Sequence, residues 1–518
     1  MNDAISEVFS RYWPTLLLVL VVVVVAAVVI GIIQGRSQHR GDKLDRQRAH
    51  SKRWGHLTEV KPLRASEAVP ADRLSIGVLG RERLWAPRFR SKLVLAPTGA
   101  GKTPRMVVPD ILRHHGPAVV TSIKSDVLHL TRHHRATLGP VWVFDPAADS
   151  GMESCRWSPL DHVHDWPSAV DVAGWLTRSS RRDVGATAND EFWSTMARQL
   201  IAPAIYAAHL RGKPLRRVGE WIQAQDHHSV SKILDEHGER EPISEWQVTA
   251  RADSKTRANV FTSAASIFHP WMHPLISATT DTTTETGGPV FRVADLVHGT
   301  TDGIGTLYAI GTSERQQTLS PIFEALMCAI ASEISRTYQA AALPLQPSLL
   351  MMLDEAANIC RVRDLGQWAS AMAGQGMILC SVWQDQGQII DAYGDHAARS
   401  ILSNHTAHIL LPGISDIGTL RDVSARIGQD QFTTTSRTYQ RDNQGSSMSH
   451  QSTVLEVAPP EWIREAIPSG QALALVSGHK PLRVKIPGWW EDPELRDLVD
   501  PDIAAGFDAL HAPTKTPR

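Results

Sequence analysis

The sequence predicts an α/β fold whose core is a mostly parallel sheet covered by helices on both faces. Three observations predict it. Eight short apolar runs recur along the chain, with helical stretches between many of them; one leads directly into LAPTGAGKT (95–103); another ends in the acid pair Asp354–Glu355. Short apolar runs bounded by Gly, Pro or a charge are the pattern of strands buried on both faces.

Taken in chain order, the first element is Leu16–Ile33, an uncharged apolar run. As a helix it would reach about 27 Å, close to the hydrocarbon thickness of a bilayer. The N-terminal MNDAISEVFSRYWP lacks the basic start of a signal peptide, so a retained span is expected. Arg36, Arg40, Lys43, Arg46, Arg48, Lys52 and Arg53 follow it. That positive flank orients the span with its N-terminus outside and the body of the chain in the cytoplasm. Residues 1–35 thus read as an anchor and 36–75 as a basic juxtamembrane linker able to touch anionic lipid.

The strand-like runs are SKLVLAP (91–97), AVVTSI (118–123), VWVFDP (141–146), GTLYAIG (305–311), SLLMMLD (348–354), GMILCSV (376–382), AHILLPG (407–413) and ALALVSG (472–478). They divide into a first part, 76–164, and a second, 296–495. Between them, at 165–295, apolar residues recur at helical spacing, as in EFWSTMARQLIAPAIYAAHL (191–210) and TRANVFTSAASIF (256–268), which predicts an inserted all-α domain. TTDTTTETGG (279–288) reads as a flexible return connection, TTTSRTYQRDNQGSSMSHQST (433–453) as a mobile surface loop and 496–518 as a tail.

Composition narrows the function. The formal net charge of −1 gives no bulk argument for nucleic-acid binding, so any such role rests on local geometry. The four cysteines, Cys155, Cys328, Cys360 and Cys380, have no paired spacing. That argues against a disulfide framework or a zinc site and fits a reducing compartment. The 23 histidines show no HExxH pattern.

The chemistry lies in LAPTGAGKT. A phosphate-binding loop needs glycines so that successive backbone N–H groups wrap the phosphates, a lysine for the β/γ oxygens and a hydroxyl for Mg²⁺. Pro97, Thr98, Gly99, Ala100, Gly101, Lys102 and Thr103 supply that loop. Ala96 stands where the motif has its first glycine, so that position must adopt an ordinary backbone. Pro104 is tolerable in a first helical turn, while Pro109 is expected to end or bend the helix. In SLLMMLDEAANI, Asp354 is placed to hold Mg²⁺ and Glu355 to orient or deprotonate an attacking water. Gln384, ending GMILCSVWQ, is placed to sense the γ-phosphate. These residues describe an ATP- and Mg²⁺-dependent P-loop NTPase.

The chain resembles the type IV secretion coupling proteins, the TraG/TraD-like ATPases of conjugation, over most of residues 90–490. The residues that carry the resemblance are LAPTGAGKT, TSIKSDV followed by VWVFDP, EFW (191–193), LDEAANI, and WQDQGQIIDAYGDHAARSILSNHTAHILLPGISD running into LRDVSARIG. It implies a RecA-like motor domain with an inserted all-α, cargo-selecting domain and a membrane anchor. It also implies assembly as a homo-hexamer with nucleotide between subunits. Hydrolysis would drive single-stranded DNA with its relaxase, or secreted proteins, towards a type IV secretion channel. Lys124 and Asp126 fall in a strand-tip segment the family keeps near the site. Three departures stand out: one span where many members have two, Ala96, and no arginine in MAGQGM (372–377) before Gln384. Arg399, Arg421 and Arg426 are possible substitutes, none assigned. Two alternatives stay open: a chromosome-type DNA translocase without a secretion partner, and a nucleotide-binding membrane scaffold.

Overall fold

The computed structural model describes residues 44–511, apart from 66–69, 180–187, 286, 358–360 and 440–445. The expected membrane span Leu16–Ile33 lies outside the described residues. Within them one helix, Thr318–Ala341, is long and apolar enough to cross a membrane, and 78% of its apolar window is buried inside the protein. That is the signature of a core helix.

Among the described residues thirteen strands are formed: β1 (Ser75–Leu79), β2 (Glu82–Trp85), β3 (Lys92–Leu95), β4 (Ala118–Ser122), β5 (Val141–Phe144), β6 (Thr306–Ile310), β7 (Leu349–Leu353), β8 (Met377–Trp383), β9 (Ala407–Leu410), β10 (Gln429–Tyr439), β11 (Ser446–Glu456), β12 (Gln471–Val476) and β13 (Leu482–Lys485). Eleven make one sheet in the order β2-β1-β13-β12-β9-β3-β8-β7-β4-β6-β5. From β9 to β5 every pairing is parallel. β12 runs antiparallel to β9, and β13, β1 and β2 continue antiparallel. All eight expected runs are strands, but ALALVSG is antiparallel and the β1–β2 hairpin is an addition. A short connection of five residues joins β12 to β13, too short for the crossover that a parallel pair requires.

Both faces of the parallel strands are covered, which is why they read as unbroken apolar runs. On one face Val94, Val120, Met352, Ile378 and Val382 join Val107 and Ile111 from the helix after the phosphate loop and Val127 and Leu128 from helix Asp126–Leu138. Their neighbours along the strands, Leu93, Leu95, Val119, Met351, Leu353 and Leu379, are just as buried. Val60 and Leu63, from the segment expected as linker, belong to the same core.

Between β5 and β6 the described chain is helical. Helix Ala188–Leu210 packs against Trp166–Ser179, Arg240–Arg251 and Ser254–Phe268 around Leu200, Ile205, Trp246 and Phe261, all buried. Asp226 and Asp253 cap their helices through Ser229 N–H at 2.9 Å and Thr256 N–H at 3.0 Å, satisfying amides that a helix start leaves open. The return connection is tied down rather than loose. The Arg156 guanidinium donates to the carbonyls of Asp281, Thr284 and Gly288 at 3.1, 2.8 and 2.7 Å. The expected tail also differs: Pro493–Arg496 and Pro501–His511 are helices whose Leu495, Ile503 and Phe507 pack with Trp489, Val108 and Leu112.

The described residues 44–54 and Asp422–Pro460 form a second compact unit. Its main feature is the ribbon β10–β11, paired in unbroken register from Gln429↔Glu456 to Tyr439↔Ser446. This overturns the expected mobile loop at 433–453. Polar composition there reflects a ribbon with few apolar residues, since Ser and Thr accept extended backbone readily.

A fully buried ion pair braces the strand that leads into the phosphate loop. Lys92, at the start of β3, pairs with Asp110 on helix Val108–Arg113, and its ammonium also donates to Ser75 O at 3.0 Å. Replacing Lys92 by Met leaves the Asp110 carboxylate buried without its cation. The expected loss is about 3–5 kcal/mol of unfolding free energy. The double change Lys92→Met/Asp110→Leu should recover most of it, measured as urea midpoints.

Candidate active site

The four strands β3, β8, β7 and β4 lie side by side and parallel, so their C-terminal ends open on one edge of the sheet. Ligands in such sheets bind at that edge. Each strand delivers one sequence-predicted group there: the loop 97–103 after β3, Gln384 after β8, Asp354 and Glu355 after β7, and Lys124 with Asp126 after β4.

The loop is a turn made by its two glycines. Gly99 and Gly101 take φ of +84° and +82°, a region that other residues enter at a cost. A Cβ at Gly99 would meet no protein atom within 4 Å, so conformation rather than crowding selects glycine. Ala96 needs no such freedom. It continues the ladder, donating its N–H to Trp383 O at 2.9 Å. Beyond the loop, Thr103–Val107 is a π turn and Val108 N–H returns to Thr103 O. The widened turn carries the helix past Pro109, which has no N–H to give the carbonyl four residues back. Of the two expected outcomes, Pro109 does not end the helix, which runs on to Arg113.

Lys102 Nζ lies 2.6 Å from Glu355 Oε1, with both side chains largely buried. Glu355 reaches it from an unusual backbone, φ +56°. Its neighbours explain this: Asp354 N–H stays laddered to Thr121 O at 3.2 Å, and Ala356 N–H bonds Val382 O at 3.3 Å. The residue between takes up the left-handed turn, at a cost of about 1–2 kcal/mol. Strain of this kind is expected where function dictates a side chain's direction.

Asp354 is 4% exposed. Burial pushes its carboxyl up to about 6; Lys102 opposes this, while the charges of Glu355 and Asp126 add to it. Thr103 Oγ1 stands 3.4 Å from Asp354 Oδ2, longer than a good O–H···O bond. Asp354 Oδ1 is buried and has no partner. An orphaned carboxylate oxygen beside a hydroxyl suits Mg²⁺, which takes few protein ligands and completes its shell with water and phosphate oxygens. Among the described residues no group of three or more His, Cys, Asp or Glu is arranged to hold a metal without such help.

Gln384 is half-buried one residue beyond β8, between the loop and the acids, and its N–H donates to Gln388 Oε1 at 2.9 Å. Asp126 is exposed and accepts Val127 N–H at 2.8 Å in the first turn of its helix; its part is electrostatic, on Asp354. Lys124 is exposed beside it. Of the three arginines, Arg426 pairs with Asp422 at 2.9 Å in the second unit, and Arg399 and Arg421 are exposed. Sequence reasoning missed two neighbours. Tyr393 donates to Val362 O at 3.0 Å and packs edge-on to Trp383, linking β8 to the segment after the acids. Arg105, two residues beyond Thr103, reaches the C-terminal segment; only its place next to the motif could have drawn attention to it.

Comparison with known proteins shows the family to which the chain is similar. The family model described as type IV secretory system conjugative DNA transfer matches residues 52–506. The conjugal transfer protein TraG of Agrobacterium fabrum is 24% identical over 83% of this chain and 65% of its own length. Protein VirD4 of the same organism is 22% identical over 80% of this chain and 60% of its own. The chain therefore spans less than two thirds of these relatives. Among solved structures, the conjugative coupling protein TrwB in an unbound form superposes with a TM-score of 0.62 at 17% identity, covering 83% of this chain and 90% of that one. TrwB with a GTP analogue gives 0.60 at 18%, covering 83% and 91%, and TrwB with ADP and Mg²⁺ gives 0.57 at 18%, covering 77% and 85%. At such identities the likeness establishes the fold.

The burial of Asp354 has a measurable sign. Its folded pKa, about 6, lies above the ordinary 3.8, so the folded chain holds this proton more tightly. The residue's favourable contribution is whole below pH 3.8 and is lost as pH rises through about 6. Asp354→Asn should remove that part of the pH–stability profile. At pH 7.5 it should raise the melting temperature of the nucleotide-free chain by about 1–2 °C, read by calorimetry.

Proposed function

Because the chain belongs to the type IV secretory system conjugative DNA transfer family, we propose that it is a membrane-anchored ATPase that couples cargo to a secretion channel. Cargo here means single-stranded DNA carrying its relaxase, or secreted proteins. The observation that carries the reading is the convergence of Lys102 with Glu355 and of Thr103 with Asp354, from segments about 250 residues apart, at the C-terminal edge of one parallel sheet.

In this reading Pro97–Lys102 wrap the phosphates, Lys102 neutralises the β/γ oxygens, and the Thr103 hydroxyl and Asp354 hold Mg²⁺. Bound Mg²⁺ supplies charge neutralisation for the phosphates. Lys102 and Glu355 neutralise each other across 2.6 Å. Phosphate oxygens arriving at Lys102 take over the cation and leave the Glu355 carboxylate to a water molecule. Glu355 orients that water towards the γ-phosphorus and accepts its proton as the bond to the β-phosphate oxygen breaks. Gln384, between loop and acids, registers whether the γ-phosphate is present.

The larger assembly follows the same reading. Leu16–Ile33 anchors the chain in the cytoplasmic membrane, with its N-terminus outside and the motor in the cytoplasm. Six copies form a ring with nucleotide between neighbours. The segment 165–295 selects cargo, because a helical insertion outside the catalytic edge can vary without disturbing the chemistry.

The test is ATP hydrolysis by the full chain in detergent or nanodiscs, with and without single-stranded DNA. Lys102→Ala should abolish turnover. Glu355→Gln should lower it by a factor on the order of 10²–10³ while ATP stays bound. Turnover that persists in Lys102→Ala, or an unaffected rate in Glu355→Gln, would refute the assignment. Hydrolysis without any response to DNA in assembled rings would favour protein cargo.

A further inference from the structure

Gly101 holds a left-handed backbone, φ +82°, and has no side chain of its own to restrain it. Its restraint comes from Arg105. A Cβ at Gly101 would lie 3.2 Å from Arg105 Cδ, so the arginine stem runs directly along the glycine, and Arg105 N–H bonds Gly101 O at 3.0 Å. The far end of Arg105 is held by the C-terminal segment. One guanidinium nitrogen donates to Ile486 O at 3.0 Å and Glu491 Oε2 at 2.8 Å; the other donates to Glu491 Oε1 at 3.1 Å. The guanidinium carbon sits 4.9 Å from the centre of the Trp490 ring. Glu491 is itself fixed, accepting Gly488 N–H at 3.0 Å. Trp490 packs against Phe507 with ring centres 4.9 Å apart. The Arg105 side chain is only 13% exposed.

A planar guanidinium with a two-point carboxylate contact and an aromatic face is locked in position, as a lysine would not be. The chain of contacts therefore runs from helix Pro501–His511 through Phe507, Trp490 and Arg105 to Gly101. We propose that Arg105 is a positioning residue for the phosphate loop, and that the C-terminal segment Gly488–Phe507 is the clamp that holds it. The clamp adds no atom to the phosphates. It removes conformations of the loop that cannot bind them, so the ordering cost is met before ligand arrives.

This rests on the nucleotide-binding reading above, and the experiment separates the two. The full chain in nanodiscs is titrated with Mg²⁺-ATP, Mg²⁺-ADP and inorganic triphosphate, and steady-state kinetics are measured alongside. If the native chain binds none of them, the nucleotide reading fails. If it binds, Arg105→Ala should weaken all three ligands alike, by about tenfold, because the loop serves the phosphates they share. KM should rise at least about fivefold more than kcat falls. Arg105→Ala/Trp490→Ala should lose no more than Arg105→Ala alone, since both changes open one clamp. Native affinity in folded Arg105→Ala overturns the proposal. So does a loss confined to ATP and ADP, which would put Arg105 at the base instead. Should Arg105→Ala fail to fold, Glu491→Gln decides: it keeps the shape and removes the charge. A loss of about threefold or more for all three ligands supports the clamp, and unchanged binding overturns it.

Discussion

Parallel pairing of β3, β8, β7 and β4 is the constraint on which the rest depends. A parallel ladder forces every strand to end on the same edge, and each return to the start needs a crossover. Lys102 and Glu355 are separated by some 250 positions, yet β3 and β7, parallel with β8 between them, bring their side chains to 2.6 Å. The crossovers are where the fold spends its length. The one between β5 and β6 is long enough to contain the whole set of helices from Trp166 to Thr279. An elaborate helical segment can hang there without interrupting the ladder that sets the phosphate-loop edge.

Charge is buried in two different ways along this sheet. Lys92 and Asp110 are sealed together beneath the phosphate loop, each satisfying the other. Asp354 is equally buried but keeps one oxygen without a partner and a carboxyl pushed up to about 6. The first arrangement braces the strand and the helix on either side of the loop. The second holds a reactive group in a state that a bound cation would relieve. Glu355, in its left-handed turn, adds strain at the same place. Local rules are broken at the site and kept around it, as expected where geometry serves chemistry.

The antiparallel flank β12–β13–β1–β2 and the segment after it give the loop a second support. Arg113 and Arg83 both pair with Asp492, and Arg105 pairs with Glu491, so two cations from the helical turns after the phosphate loop and one from edge strand β2 end on one short stretch. Trp489, 1% exposed, fills the space between that stretch and helix Val108–Arg113 through Val108 and Leu112. The edge that carries the phosphate loop is thus held from the sheet on one side and from the C-terminal helices on the other.

The sequence by itself determined the positions of eight strands, the phosphate loop and the acid pair, because each depends on local composition: apolar runs, glycines before Lys102–Thr103, and acids at a strand tip. It also located the helical stretch between β5 and β6 from its periodicity. Only tertiary structure decided the direction of β12, the ribbon at 429–456 and the packing of residues 489–507 on the phosphate-loop helix. Polar ribbons carry no apolar period to read, and strand direction is set by the partner. Nor could the sequence show that Ala96 needs no glycine freedom, or that Glu355 turns left-handed to meet Lys102. Both follow from ladder bonds to Trp383, Thr121 and Val382. Residues far apart in the chain become neighbours only when the sheet closes, and so the contacts that tune the site are invisible until it does.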